Sequence, residues 1–69
     1  MNKIICKKDW YLDNKLGFIK GKSYKILKKE VHGFANAILL KSENGFKGWF
    51  WSDSEYFDVD SVFGIVEFV

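Results

Sequence analysis

The chain has 69 residues, 48% of them hydrophobic and 19% aromatic, with a formal net charge of +2. That length allows one domain with one core over residues 1–69, and no apolar run approaches the roughly 18 residues of a membrane-spanning helix, so no membrane role is expected. The single Cys6 excludes an intramolecular disulfide, and Cys6 with the single His32 cannot supply a structural zinc site.

A domain this small buries only about 60% of the surface its unfolded chain exposes. The compensation is aromatic: seven Phe, three Tyr and three Trp. Each buried ring removes roughly 150–250 Å² from water, which holds a short chain together without metal or disulfide. The start, Met1-Asn2-Lys3-Ile4-Ile5-Cys6 before Lys7-Lys8, is not a signal-peptide pattern. A lone thiol fits a reducing compartment, so the expected location is the cytoplasm.

The net charge hides an asymmetry. Residues 1–30 carry nine lysines against Asp9, Asp13 and Glu30, a balance of +6; residues 31–69 carry Lys41 and Lys47 against six carboxylates, a balance of −4. Every basic residue is lysine. Without arginine's bidentate fork, recognition of base edges is disfavoured.

In chain order, Lys3 to Lys8 reads as a first strand, with Ile4 and Cys6 on one face and Ile5 on the other. Asp9 to Gly17 reads as a polar excursion turning at Asp13-Asn14. Phe18 leads to Gly21, and Ser23 to Lys29 forms a second strand with Tyr24 and Ile26 on one face. His32-Gly33 ends it, and Ala35 to Lys41 forms a third. Asn44-Gly45 between apolar runs is a strong hairpin signal. The fourth strand, Phe46 to Trp51, sets Phe46, Gly48 and Phe50 against Lys47, Trp49 and Trp51. Ser52 and Glu55 have capping-box spacing, which predicts a single 3₁₀ turn there. Val62 to Val69 reads as a closing strand. Five such strands cannot bury both faces as a flat sheet and should curl into a small all-β barrel.

Phe18-Ile19-Lys20-Gly21 followed by Tyr24-Lys25-Ile26-Leu27, the Asn44-Gly45 hairpin and the Ser54-Glu55-Tyr56-Phe57 turn together resemble the SH3-like barrel. The likeness extends to small SH3-like proteins of bacteriophages and low-GC bacteria. It implies a five-stranded barrel with a 3₁₀ turn before its last strand. It also implies a non-catalytic module that binds a protein, as a phage-encoded inhibitor or modulator of a host protein would in the host cytoplasm. Two departures matter. Cys6-Lys7-Lys8-Asp9-Trp10-Tyr11 replaces the Ala-Leu-Tyr-Asp-Tyr run of peptide-binding SH3 domains, and the chain has no proline before the turn. A polyproline groove is therefore not implied, although Trp10, Tyr11 and Tyr56 would form an aromatic surface in its place.

No catalytic set is evident, because the Cys6–His32 pair lacks an orienting third group. Asp53, Glu55, Asp58 and Asp60 do not match an EF-hand and read as a solvated acidic turn. No metal or other cofactor is implied. Trp49 and Trp51 share one strand face with Lys47. Either barrel curvature buries them, or they stand outside as the kind of aromatic anchor that dominates protein interfaces. The candidate partner-binding residues are thus Trp10, Tyr11, Lys47, Trp49, Trp51 and Tyr56. The alternative is a nucleic-acid surface built from Lys7, Lys8, Lys20, Lys22 and Lys25, with Lys28 and Lys29 beside them and Trp10 and Tyr11 interleaved, set against a solubilising lysine face. The opposed charge halves also allow self-association into a homo-oligomer.

Overall fold

The computed structural model describes residues 2–64. Phe18 is fully buried at its centre, and four rings meet it edge-on: Tyr24 at 4.8 Å, Phe50 and Phe57 each at 5.3 Å, and Trp10 at 5.4 Å between centroids. This geometry sets positive ring edges against negative faces and contributes about 0.5–1.5 kcal/mol per pair beyond area burial. Ile4, Cys6, Ile38, Leu40, Val59 and Val62 complete the core.

Six strands surround it: β1 (Lys3–Ile5), β2 (Trp10–Leu12), β3 (Lys15–Phe18), β4 (Ser23–His32), β5 (Ala35–Lys41) and β6 (Lys47–Trp51). All pairings are antiparallel. One sheet has the order β1-β4-β5-β6, and β2 and β3 form a separate two-stranded sheet. The all-β class therefore holds. The expected five-stranded closed barrel does not, since the described residues form two sheets and neither closes on itself.

Two local features account for the difference. Asp13 and Asn14 adopt φ of 52° and 62°, the paired positive values that a tight two-residue hairpin turn requires. The polar excursion thereby becomes the β2–β3 hairpin. At the other end, Val62 and Phe63 belong to a 3₁₀ helix, Val59–Phe63, and not to a strand. The rest of the expected closing strand, 65–69, lies outside the described residues.

The 3₁₀ turn also falls later than expected, because the capping box does not form. Glu55 turns instead to Lys8, at 3.0 Å, and the Ser52 hydroxyl donates to Asp60 at 2.7 Å while accepting from the Asn36 N–H at 2.7 Å. Asn36 Nδ2 donates to the same Asp60 oxygen at 2.8 Å. These bonds tie the 3₁₀ helix to β5 and the end of β6, and Val59 and Val62 enter the core beneath.

The segment from Phe18 to Leu27 behaves as its residues require. The Lys22 N–H donates to the Ile19 carbonyl at 3.0 Å across a turn in which Gly21 takes φ 86°. A side chain at that position of a type II turn would be strained. Cys6 exchanges backbone bonds with Lys22 and Gly21, at 2.9 and 2.8 Å, which prolongs the β1–β4 ladder into the turn. Gly17 serves another purpose: a Cβ there would lie 2.8 Å from the Trp10 ring, so its absence lets the indole lie on the hairpin.

Phe18→Ala should cost about 3–5 kcal/mol, enough to unfold most of a domain this small, and urea titration followed by circular dichroism reads it. Gly17→Ala should cost about 1–3 kcal/mol through displacement of Trp10, visible in the same titration and in near-ultraviolet dichroism.

Candidate functional site

The period-two alternation of β6 decides where its aromatics go. Phe50 points inward and is buried, while Trp49 and Trp51 point outward, each 41% exposed. The register carries the outer face across the sheet: Trp49 pairs with Leu39 and Leu39 with Lys28, while Trp51 pairs with Ala37 and Ala37 with Glu30. The His32 ring packs against Trp51 with centroids 5.3 Å apart and holds Glu30 at 2.8 Å. The outer face thus carries an aromatic and aliphatic strip of Trp49, Leu39 and Trp51, capped by His32.

Beside the strip runs a row of lysines. Lys41 pairs directly with Lys47 across β5 and β6, and Lys3 pairs directly with Lys25 across β1 and β4. Extending the register one residue past the Ile26–Leu40 pair sets Lys25 beside Lys41. All four are exposed.

The six candidate partner-binding residues do not form one surface. Lys47, Trp49 and Trp51 share the outer face. Trp10 is half-buried on the core side, where it stacks on Phe46 at 5.8 Å and meets Phe50 edge-on at 6.1 Å. Tyr56 is also half-buried, 6.4 Å from Phe50, with the Lys8 ammonium 5.7 Å from its ring centroid. Tyr11, past a bulge in β2, is exposed. Leu39, Lys3 and Lys41 join the outer face without having been singled out in the sequence, and Lys28, expected beside the nucleic-acid lysines, stands there too. Asn44-Gly45 located the hairpin but not its register. A two-residue turn there would set Leu39 opposite Phe50. Instead the Ser42 N–H bonds to the Phe46 carbonyl at 2.7 Å and, of the two turn residues, only Gly45 takes positive φ, so the longer loop sets Lys41 opposite Lys47 and Leu39 opposite Trp49.

The five lysines of the nucleic-acid reading are likewise dispersed. Lys8 pairs with Glu55, and Lys22 pairs with Glu43 at 2.6 Å. Lys7 lines a groove of about 470 Å³ with Lys3, Ile4, Ile5 and Val62, while Lys20 stands exposed on the Gly21 turn. The acidic half of the sequence thus folds back onto part of the basic half.

Cys6 and His32 are not brought together. Cys6 is buried beside the start of β4 and its Sγ–H donates to the Lys8 carbonyl at 2.9 Å, whereas His32 ends β4. Burial raises the Cys6 thiol above its ordinary pKa, which opposes thiolate formation. Among the described residues no three His, Cys, Asp or Glu side chains gather to hold a metal ion.

Tyr24 links the core to the charged surface. Its hydroxyl donates to Glu43 at 2.8 Å and accepts the Ile19 N–H at 2.8 Å. Burial, with the Glu43 bond and charge added, pushes its pKa up to about 12. The Lys22 and Tyr24 hydrogen bonds hold Glu43 below the usual carboxylate range, and those from Ser52 and Asn36 do the same for Asp60. The raised Tyr24 pKa gives stability that is complete below the unfolded phenol's pKa, about 10, and is lost as pH climbs through the folded value. The lowered carboxylate pKas give stability present above the unfolded range and lost as pH falls through the folded values.

Stability should therefore decline on both sides of neutrality. Tyr24→Phe should remove part of the alkaline limb and Asp60→Asn part of the acid limb, as read by urea midpoints across pH. Comparison of the chain with known protein families, with characterised proteins and with solved structures finds no match.

Proposed function

We propose that this domain is a non-catalytic protein-docking module whose contact surface is the outer face of the four-stranded sheet, centred on Trp49 and Trp51. One observation carries the reading: the core closes around Phe18 without either indole, yet both stand on one rigid strand with Leu39 between them and the neighbouring strands. Large aromatics left partly exposed on a regular strand bring contact area at little cost in conformational entropy, which is what interface anchors need. Lys47 supplies a charge at the rim, where it steers encounter more than it adds affinity.

A finer reading makes the architecture an SH3-like barrel and the module a phage-encoded modulator of a host protein, working in a reducing cytoplasm. It rests on the resemblance of the Phe18–Leu27 segment and on the lone thiol. The same reading includes pairing of two copies through their opposed charges, against which Lys8 and Lys22 find acidic partners within the chain.

The Trp49→Ala, Trp51→Ala double variant tests the proposal. Each change should cost the fold about 1 kcal/mol or less, the value of a cross-strand pair. In binding, each should cost about 2 kcal/mol or more, as a central anchor does. The double variant should unfold near the wild-type urea midpoint and fail to retain, from extract of the cells in which the protein works, the proteins that wild type retains. An unfolded double variant assigns the indoles to the core; a folded one that retains the same proteins removes this face as the docking surface.

A further inference from the structure

The lysine row bears on the partner. Lys3 opposes Lys25 and Lys41 opposes Lys47, two directly facing like-charge pairs in one sheet. Like charges directly opposite on neighbouring strands are destabilising. Lys28 adds a fifth positive charge to the same face, opposite Leu39. Among the described residues none of these five lysines reaches a carboxylate within 4.0 Å. The contrast within the molecule is informative, since Lys8 and Lys22, away from this face, are both paired with acids distant in sequence. Glu30 is the one carboxylate on the outer face among the described residues, and His32 holds it at the far end, beside Trp51.

We propose that the occupant of the outer face is an acidic protein segment. Its carboxylates lie along Lys3, Lys25, Lys41 and Lys47, and an adjoining apolar side chain covers Trp49 and Leu39. This inference rests on the docking face proposed above and adds the partner's chemistry to it. Charge complementarity carries it: the lysines that repel one another in the free domain are neutralised together when the acidic segment binds. A protein segment fits better than a nucleic acid strand for two reasons. His32 lies against the Trp51 ring, so that indole is not a free stacking platform. A continuous polyanion extended along the strip would also meet Glu30 at the His32 end, whereas a protein segment can end its acidic run before it.

The repulsion gives the proposal a readout apart from binding. Lys47→Glu converts the Lys41 pair from repulsive to attractive, so it should raise the thermal midpoint while weakening the complex. The binding probe is a short synthetic peptide with glutamates flanking a Leu-Phe pair. Its controls are the same peptide with glutamine for glutamate, and a single-stranded oligothymidylate of equal charge. Binding is followed by titration calorimetry, which does not depend on the indoles, at low and physiological salt.

The expected result is that the glutamate peptide binds wild type, that affinity falls at least tenfold with Lys47→Glu and again with Lys25→Glu, and that salt weakens it. The glutamine peptide should bind at least tenfold more weakly, as should the oligonucleotide. No binding of the glutamate peptide at low salt overturns the proposal. So does equal binding of the glutamine peptide, or an oligonucleotide that binds more tightly. Loss of peptide binding in the Trp49→Ala, Trp51→Ala variant with none in the lysine variants keeps the docking face and overturns the acidic partner. Loss in the lysine variants alone, with the tryptophans immaterial, overturns the docking face as drawn.

Discussion

Phe18 is the residue on which the rest of this structure depends. It ends β3, and four rings close on it from four different parts of the chain: Trp10 from β2, Tyr24 from β4, Phe50 from β6 and Phe57 from the segment after β6. A small domain has few buried positions, and here one side chain joins the hairpin, the sheet and the approach to the 3₁₀ helix. The position works because its neighbours are chosen around it. Gly17 leaves room for the Trp10 indole, Gly21 turns the chain back into β4, and the Tyr24 hydroxyl satisfies the Ile19 N–H at the margin of the cluster.

Because the core is sealed in this way, the period of β6 has a functional consequence. Phe50 satisfies the inward demand, and the residues on either side must face out. The outer face therefore collects what the core does not need: two indoles, Leu39 and a row of lysines. The fold also sorts the charges. Lys8 and Lys22 lie near the returning acidic segments and pair with Glu55 and Glu43, while among the described residues no lysine of the outer face forms such a pair. The exposed aromatics and unneutralised charge fall on one surface for that reason, and the proposed docking role follows from their coincidence.

Much of this was legible in the residues. The third strand has the expected bounds, and the second begins at Ser23 as expected. Alternation alone groups Ile4 with Cys6 on one face of the first strand and Tyr24 with Ile26 on one face of the second, the faces that turn to the core. The β2–β3 hairpin was hidden because Asp13-Asn14 lacks the glycine that usually marks such a turn, and both residues adopt positive φ without it. The 3₁₀ helix was misplaced because Ser52 and Glu55 have local capping spacing but find better distant partners, Asp60 and Lys8. Whether Trp49 and Trp51 lay inside or outside was undecidable from β6 alone, since both faces are apolar. It needed Phe18 and Phe57 to fill the space beside Phe50, which is tertiary information. The aromatic surface that the SH3-like resemblance implied does not form as one patch either, since Trp10 and Tyr56 are half-buried and Tyr11 is exposed past the β2 bulge.

The central claim is that the ring cluster faces inward and the indole strip faces solvent. It is tested most directly by nuclear magnetic resonance of the free domain with a soluble paramagnetic agent. The indole signals of Trp49 and Trp51 should broaden strongly, those of Trp10 should broaden less, and the Phe18, Phe50 and Phe57 ring signals should be nearly unaffected. Broadening of the Phe50 and Phe18 rings with the Trp49 and Trp51 indoles protected would contradict the claim, and with it the docking face.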